Sequence, residues 1–410
     1  MHRIVIAGIV TAGLTFGVAG SAGFAGFAGF AHVAASEGPN AVCAAPALYR
    51  GQPLRAPLSL PQVADGIGGE FGTEAAARLR RAVIEAQQAT NASSMTVAVA
   101  VPGSALWTME MNGASPRDNQ SPGVGPLHYW ASAGKTFVAI VILQLVEEKK
   151  IALDDRVSRW VKDVPNGDAI TIEHLLAHTS GLFSANEDLG VRKAHRFHSP
   201  VENLKVSKKH GPLFCPGEAW RYTNTGYDLL GMIIERVDGR PYPAAIDARI
   251  IAPLGLKRLR VLRPGDASSD VAQLISTKER PIDPTWPGAA GPVAGSADDM
   301  LRVWHALLTH RLLKADIVRN MFARLYPMFT PVEFYGLGVM CYDVPEADGS
   351  KTTWIGHGGG TPGANAIVAY SPADRAFVAV ALTGDGSAPA TANLLLRALR
   401  ASRASTAADY

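Results

Sequence analysis

Ser132 and Lys135 stand three residues apart at the start of YWASAGKTFVAIVILQLVEEKK, residues 129–150. Positions i and i+3 share a helix face, so a hydroxyl and an amine placed this way can meet. Phe137, Val138, Ile140, Val141, Ile142, Leu143, Leu145 and Val146 leave almost no polar face for three turns, which predicts a buried helix. An ammonium in those surroundings loses its hydration, and the less costly outcome is a lowered pKa. Pulling a lysine to neutrality at pH 7 takes roughly 3 to 5 kcal/mol of environmental bias. A neutral lysine there can accept the proton of Ser132 and leave an activated nucleophile. Ser-x-x-Lys arises by chance about once in a chain of this length, so the pair carries weight only with partners.

Two partners follow. Tyr222-Thr223-Asn224 lies after the Pro216-Gly217 turn and before an apolar-periodic helix from Tyr227 to about Val237, which predicts a loop. His357-Gly358-Gly359-Gly360 ends the β-rich run KTTWIGH. Gly358, Gly360 and Gly363 also fit the spacing of a dinucleotide loop. That loop must pass from a strand straight into a helix, whereas the alternating run ANAIVAY follows Gly363 here. The glycines then read as a cleft wall on which substrate lies against bare backbone.

Taken together, Ser132-Ala133-Gly134-Lys135, Tyr222-x-Asn224 and His357-Gly358-Gly359 resemble, in order and rough spacing, the serine β-lactamase and DD-peptidase superfamily, class C branch. ITIEHLLAHTSGL (170–182), PGEAWRYTNTGYDLLGMIIE (216–235) and GHGGGTPG (356–363) look like blocks of that family, and the resemblance covers about residues 75–400. It implies Ser132 as the acylated nucleophile, Lys135 as its base and Tyr222 as a proton shuttle to the leaving group. Asn224 would hold the substrate's amide carbonyl, and the backbone N–H groups of Ser132 and Gly360 would form the oxyanion hole. Such donors are worth about 2.7 to 4 kcal/mol each. His357 stands where many members carry the lysine of a Lys-Thr-Gly strand, and would orient Tyr222 or meet a substrate carboxylate, with Gly358 and Gly359 beside it against the substrate.

A histidine at that place resembles the peptidase, D-aminopeptidase and esterase members more than true class C β-lactamases, and at pH 7 it is an unreliable positive charge. The expected activity is therefore hydrolysis of an amide or ester bond through an acyl-enzyme on Ser132. The substrate would be a small molecule or peptide, and no cofactor would be needed. The alternatives are a class C-like β-lactamase, a penicillin-binding sensor of the same fold that acylates without turnover, and a nucleotide-dependent enzyme using Gly358 to Gly363.

Other constellations are weaker. Gly134-Lys135-Thr136 ends like a phosphate-binding loop, but Tyr129 occupies the position where that motif needs glycine. Glu173-His174-x-x-x-His178 is not the zinc-peptidase order, so packing and capping are the expected roles of these histidines. His195 and His198 read as a solvated loop pair, and Ser296 as a helix cap. No Gly-x-Ser-x-Gly elbow is present. Trp130, Trp220 and Trp354 flank the three motifs, as core residues or as an apolar cleft wall.

These side chains need a scaffold. A helix from Thr73 to about Ala89 precedes two β-rich runs, 96–103 and 105–113, that read as a hairpin. KTTWIGH, ANAIVAY and the run closing at Gly384 supply three more strands, and a helix over about 390–401 ends the pattern. The expected fold is α+β: an antiparallel sheet of five or more strands, built from both ends of the chain and flanked by the N- and C-terminal helices. A mainly helical subdomain, about 120–330, would be inserted between its halves, with a cleft where the two meet.

Composition agrees with an ordinary globular chain: 410 residues, 47% hydrophobic, 18% charged, net charge +3. The scattered basic residues give no nucleic-acid surface. Residues 1–35 read as a secretory signal, with Arg3 before an apolar run and small residues after it. The Gly-rich repeat at 23–31 argues against a membrane anchor. Residues 36–71 read as a linker or irregular lead-in, 72–402 as the hydrolase domain and 403–410 as a tail. Cys43 follows Asn40, Ala41 and Val42 and so lacks a lipidation box. Of Cys43, Cys215 and Cys341 one pair can form, without a readable connectivity.

Overall fold

In the computed structural model the described residues are 42–408, except 91, 114, 119–124, 195, 265–269, 292 and 347. The segment 1–35 therefore lies outside them. A first hairpin pairs β1 (Ser94–Val101) with β2 (Ala105–Asn112), and β3 (Ser115–Asp118) adds to its edge. In the middle of the chain β4 (His128–Tyr129), β5 (Leu259–Val261) and β6 (Val293–Gly295) form a separate small sheet in the order β4-β6-β5. The last third supplies β7 (Tyr326–Pro327), β8 (Glu333–Tyr335), β9 (Met340–Pro345), β10 (Lys351–Thr361), β11 (Ala364–Ser371) and β12 (Ala376–Thr383). Together with the first hairpin they make a nine-stranded sheet, β3-β2-β1-β12-β11-β10-β9-β8-β7, antiparallel at every pairing.

The two ends of the chain meet at β1 and β12, where Val97 faces Val380 and Ala98 faces Ala379. This alternation sorts the faces, because successive side chains point to opposite sides of a strand. The valine side packs with Leu79 and Val83 of α1 (Thr73–Thr90) and with Leu395, Leu396 and Leu399 near the chain's end. On the alanine side, small residues let helices approach closely.

Those helices are α2 (Lys135–Glu147), α3 (Ile172–Leu176), α4 (Leu189–Ala194), α5 (Pro200–His210), α6 (Asn224–Asp238), α7 (Tyr242–Ile246), α8 (Ala297–Leu308) and α9 (Ala315–Met321). The final helix α10 (Ala388–Ala408) returns to the valine face beside α1. Met300 and Trp304 of α8 join Phe137 to Leu145 of α2 and the sheet alanines in one core. Full burial of each large apolar side chain in α2 is worth about 1.5–3 kcal/mol. Summed over Phe137, Val138, Ile140, Val141, Ile142, Leu143 and Leu145, that exceeds the several kcal/mol that one buried amine costs.

The α+β architecture with flanking terminal helices and an inserted helical region is as the sequence implies, with several local differences. The sheet has nine strands, because β3 and β7–β9 are too short or too irregular in pattern to announce themselves. The helical middle carries its own small sheet. Asn224 opens α6 where a loop was expected, and β10 runs through the glycines to Thr361. His198 is 7% exposed, so it belongs to no solvated pair, and His195 lies outside the described residues. Ser296 stands at the α8 cap position but its hydroxyl makes no cap bond.

Residues 42–72 hold no helix or named strand, yet they are tied down. Cys43 forms a disulfide with Cys215. The Ala47 and Arg50 N–H groups donate to the carbonyls of Pro216 and Glu218, each at 2.8 Å. Further along, Arg55 bonds Asp343 of β9 at 2.9 Å, while Leu58, Leu60, Val63 and Ile67 pack on the core.

Candidate active site

The nucleophile candidate sits at a constrained turn. The backbone of residue 130 donates to the Val293 carbonyl of β6, and residues 131–134 then form a 3-10 turn that leads directly into α2. Ala131 holds φ +47°, a left-handed conformation that costs energy for a residue with a Cβ. Strand β10 presses on this turn from the sheet. A Cβ on Gly359 would lie 2.2 Å from the Trp130 carbonyl oxygen and 2.9 Å from the Ser132 nitrogen, so only glycine allows the approach.

Three polar groups converge on Ser132. The Tyr222 hydroxyl donates to its Oγ at 2.8 Å, and Lys135 Nζ lies 3.3 Å from the same oxygen. Lys135 Nζ also donates to Asn224 Oδ1 and to the Ala290 carbonyl, both at 2.7 Å, and lies 4.7 Å from the centre of the Tyr222 ring. Burial drives the Lys135 pKa well below its ordinary value, with Asp228 pulling weakly the other way. Burial also raises the Tyr222 phenol above its ordinary value, against the Ser132 bond. Burial thus favours an uncharged amine and an uncharged phenol on one hydroxyl. The amine can take a proton, whereas the phenol can only pass one on.

The Tyr222 segment is held from three directions. The Asn224 N–H donates to Ser184 Oγ at 2.9 Å, and the Ala185 N–H donates to Thr225 Oγ1 at 3.0 Å. His178, at φ +61°, accepts the Thr223 N–H on Nδ1 at 3.2 Å and lies 4.3 Å from the Tyr222 ring, centre to centre. Its pKa falls well below the ordinary value through burial, reinforced by Lys135 and His357, so it packs as a neutral ring. His174 instead closes a capping box with Thr171 at the start of α3. Among the described residues no group of three His, Cys, Asp or Glu could hold a metal ion.

His357 differs from expectation. It is 1% exposed, and burial brings its pKa down to about 3, with Lys135 adding to the effect. Nδ1 lies 2.6 Å from the Gly358 carbonyl, which can only accept, so Nδ1 carries the proton. Nε2 then accepts from the Tyr335 hydroxyl at 3.2 Å. Both ring nitrogens are engaged and the ring is neutral, so it offers a substrate carboxylate neither a charge nor a free donor. It reaches Tyr222 indirectly, through the ring stack of Tyr335 and His178.

The glycines leave an edge open. The Gly358 N–H points to Met340 Sδ of β9 at 3.4 Å, and β9 pairs with β10 no further than Gly356. N–H groups two residues apart on a strand share a side, so the Gly360 N–H points past the end of β9 toward unpaired space. Trp220 and Phe329 pack on Tyr222 and form an apolar wall beside it. Trp130 and Trp354 are fully enclosed core residues.

The family model described as Beta-lactamase matches residues 79–402. The chain belongs to the beta-lactamase family. Esterase EstB of Burkholderia gladioli is 36% identical over 143 residues, 31% of this chain and 36% of EstB. The penicillin-binding protein PbpX of Bacillus subtilis is 28% identical over 256 residues, 61% of this chain and 60% of that protein. The chain thus matches less than two thirds of the length of either. Among solved structures, a D-stereospecific amidohydrolase from Streptomyces sp. is 30% identical, with a TM-score of 0.64 over 75% of this chain and 94% of that one. Relatives of the chain thus carry the names of an esterase, a penicillin-binding protein and a D-stereospecific amidohydrolase.

Sequence reasoning placed Ser132, Lys135, Tyr222, Asn224, His357 and Gly358 to Gly360 in one site; the structure brings Ser132, Lys135, Tyr222 and Asn224 into hydrogen-bond contact with Gly359 against the Ser132 nitrogen, and sets His357 behind them against Tyr335. It missed Ala290, which contributes only a carbonyl, and His178, whose single available signal was its place in the HTSGL block.

Proposed function

We propose that this protein is a secreted serine hydrolase that opens an uncharged ester or amide through an acyl-enzyme on Ser132. The observation that carries the reading is the Ser132 hydroxyl held at 2.8 Å by Tyr222 and at 3.3 Å by a fully buried Lys135. Lys135 takes the Oγ proton as Oγ attacks the carbonyl carbon, and the carbonyl electron pair moves to oxygen between the Ser132 and Gly360 N–H groups. Tyr222 relays the proton to the leaving alkoxide or amine. Water then attacks the ester by the reverse route. Asn224, whose Oδ1 is occupied by Lys135, presents its amide N–H groups to a substrate carbonyl.

The neutral His357 favours esters, D-amino-acid amides and D-amino peptides over substrates anchored by a carboxylate, such as β-lactams. Relatives named as an esterase and a D-stereospecific amidohydrolase point the same way. Secretion is supported by the leader-like segment 1–35 and by the Cys43–Cys215 disulfide, a bond that persists in oxidising compartments. Among the described residues no helix is long and apolar enough to cross a membrane.

The test is a substrate panel of short-chain p-nitrophenyl esters, D-amino-acid amides, D-Ala-D-Ala peptides and nitrocefin, with a fluorophosphonate probe read by intact mass. Turnover of the first two classes and labelling, both lost in Ser132→Ala, are expected. Labelling that survives Ser132→Ala removes the reading, and acylation that never clears replaces it with a penicillin-binding sensor.

A further inference from the structure

A buried carboxylate outside the three motifs stands behind Lys135. Asp228 lies one turn after Asn224 on the same face of α6 and is 1% exposed. Its Oδ2 accepts from Asn203 Nδ2 of α5 at 2.8 Å. Its Oδ1 presses on the turn at 288–290, where a Cβ on Gly288 would lie 2.3 Å away; that glycine holds φ +56°. Both acceptors that hold Lys135, Asn224 Oδ1 and the Ala290 carbonyl, are thus mounted on the immediate neighbours of this one carboxylate. A polar side chain buried this deeply costs stability unless it has a use, and the acyl-transfer steps above do not touch it.

Resting on that reading of Ser132 and Lys135, we propose that Asp228 is a positioning residue that stabilises the Lys135 ammonium formed when Ser132 gives up its proton. At rest, burial favours the neutral form of Lys135. During acylation the Ser132 O–H bond breaks and a Lys135 N–H bond forms, which places a positive charge on a fully buried side chain. The groups facing that charge are the rings of Tyr222 and Tyr227, the neutral His178 and His357, and Asp228. Asp228 alone among them can supply a full negative charge. Its other titratable neighbour is Tyr242 of α7, whose phenol is held protonated by burial. Burial pushes Asp228 up to about 7, while Asn203, Lys135 and the Ala289 backbone oppose the rise. The lysine and the carboxyl therefore titrate as a coupled pair.

The sign follows from the charge. Replacing the carboxylate by an amide lowers the proton affinity of Lys135, so the neutral base persists to lower pH while the ammonium of the acylation step is less stable. For Asp228→Asn the acid limb of the kcat/KM profile on a p-nitrophenyl ester is expected to move down by about 1 pH unit. The plateau should fall roughly tenfold. Asn203→Ala, which keeps the carboxyl but removes its hydrogen-bond donor, should move the limb the same way by less, and serves if Asp228→Asn does not fold. Melting curves and fluorophosphonate labelling establish that each variant is intact. An unmoved acid limb in an intact variant overturns the proposal. Activity that survives Ser132→Ala instead overturns the reading beneath it, so the two failures are distinct.

Discussion

At the scale of single residues, the question is which group accepts the Ser132 proton. Tyr222 is nearer, at 2.8 Å against 3.3 Å for Lys135. Distance does not decide it, because a phenol acts as a base only as phenolate, and burial raises the Tyr222 pKa and removes that form. The same burial acts on Lys135 in the opposite sense and favours the neutral amine. One apolar environment therefore assigns two roles, since burial always favours the uncharged form. Tyr222→Phe should then slow kcat/KM by about 10²- to 10⁴-fold, the usual range for a lost proton relay. It should leave the acid limb in place, because the base is untouched. A pH–rate series of this variant on one ester substrate checks it; an abolished or displaced acid limb would make Tyr222 the base.

At the scale of elements, the site exists because α2 and β10 meet with no side chain between them. Gly359→Ala places a methyl 2.2 Å from the Trp130 carbonyl oxygen, a backbone atom that cannot swing away. Overpacking of this kind costs about 1–3 kcal/mol, and here it also displaces the Ser132 N–H. A loss of kcat/KM of about 10²-fold or more is expected, the scale set by one oxyanion donor. Gly358→Ala meets the Tyr342 hydroxyl at 3.0 Å, the end of a side chain, and the Ala366 carbonyl oxygen at an ordinary contact distance of 3.7 Å, and should cost far less. Equal kinetics for the two variants would refute this docking role. The element scale is also where the sequence was most and least legible. Helix α2 was readable because it is apolar all round, and β1, β2 and β10–β12 because their alternation or apolar runs are long. Strands of two to four residues, such as β4 and β7, carry too few positions for a period to show. Asp228 was invisible for a related reason: a charged residue on an apolar-periodic helix reads as solvent-facing, and only the packing of α5 and the turn at 288–290 reveals it as enclosed. Ala290 and the edge of β10 act through backbone atoms, which have no sequence signature.

At the scale of the whole molecule, the N-terminal segment and the middle of the chain are joined covalently as well as by packing. The Cys43–Cys215 bond spans 172 positions and fastens the irregular segment 42–72 to the stretch that leads into Tyr222. Cross-linking residues so far apart restricts the unfolded chain strongly, by about 5 kcal/mol in the chain-entropy account and typically 2–4 kcal/mol in practice. In the folded state the same bond seats the strap that donates to the Pro216 and Glu218 carbonyls, so its loss acts on stability and on the Tyr222 support together. The paired variant Cys43→Ser with Cys215→Ser should melt roughly 3–6 °C below the parent. At low temperature its kcat/KM should stay within a few fold, because Ser184, Thr225 and His178 still hold the Tyr222–Thr225 segment. The activity difference should then widen as each protein is assayed closer to its own melting point. Calorimetry with parallel rate measurements across that range is the check. A variant with an unchanged melting temperature would show that the strap's hydrogen bonds and its partly buried Leu58, Leu60 and Val63 fasten the segment without the covalent bond.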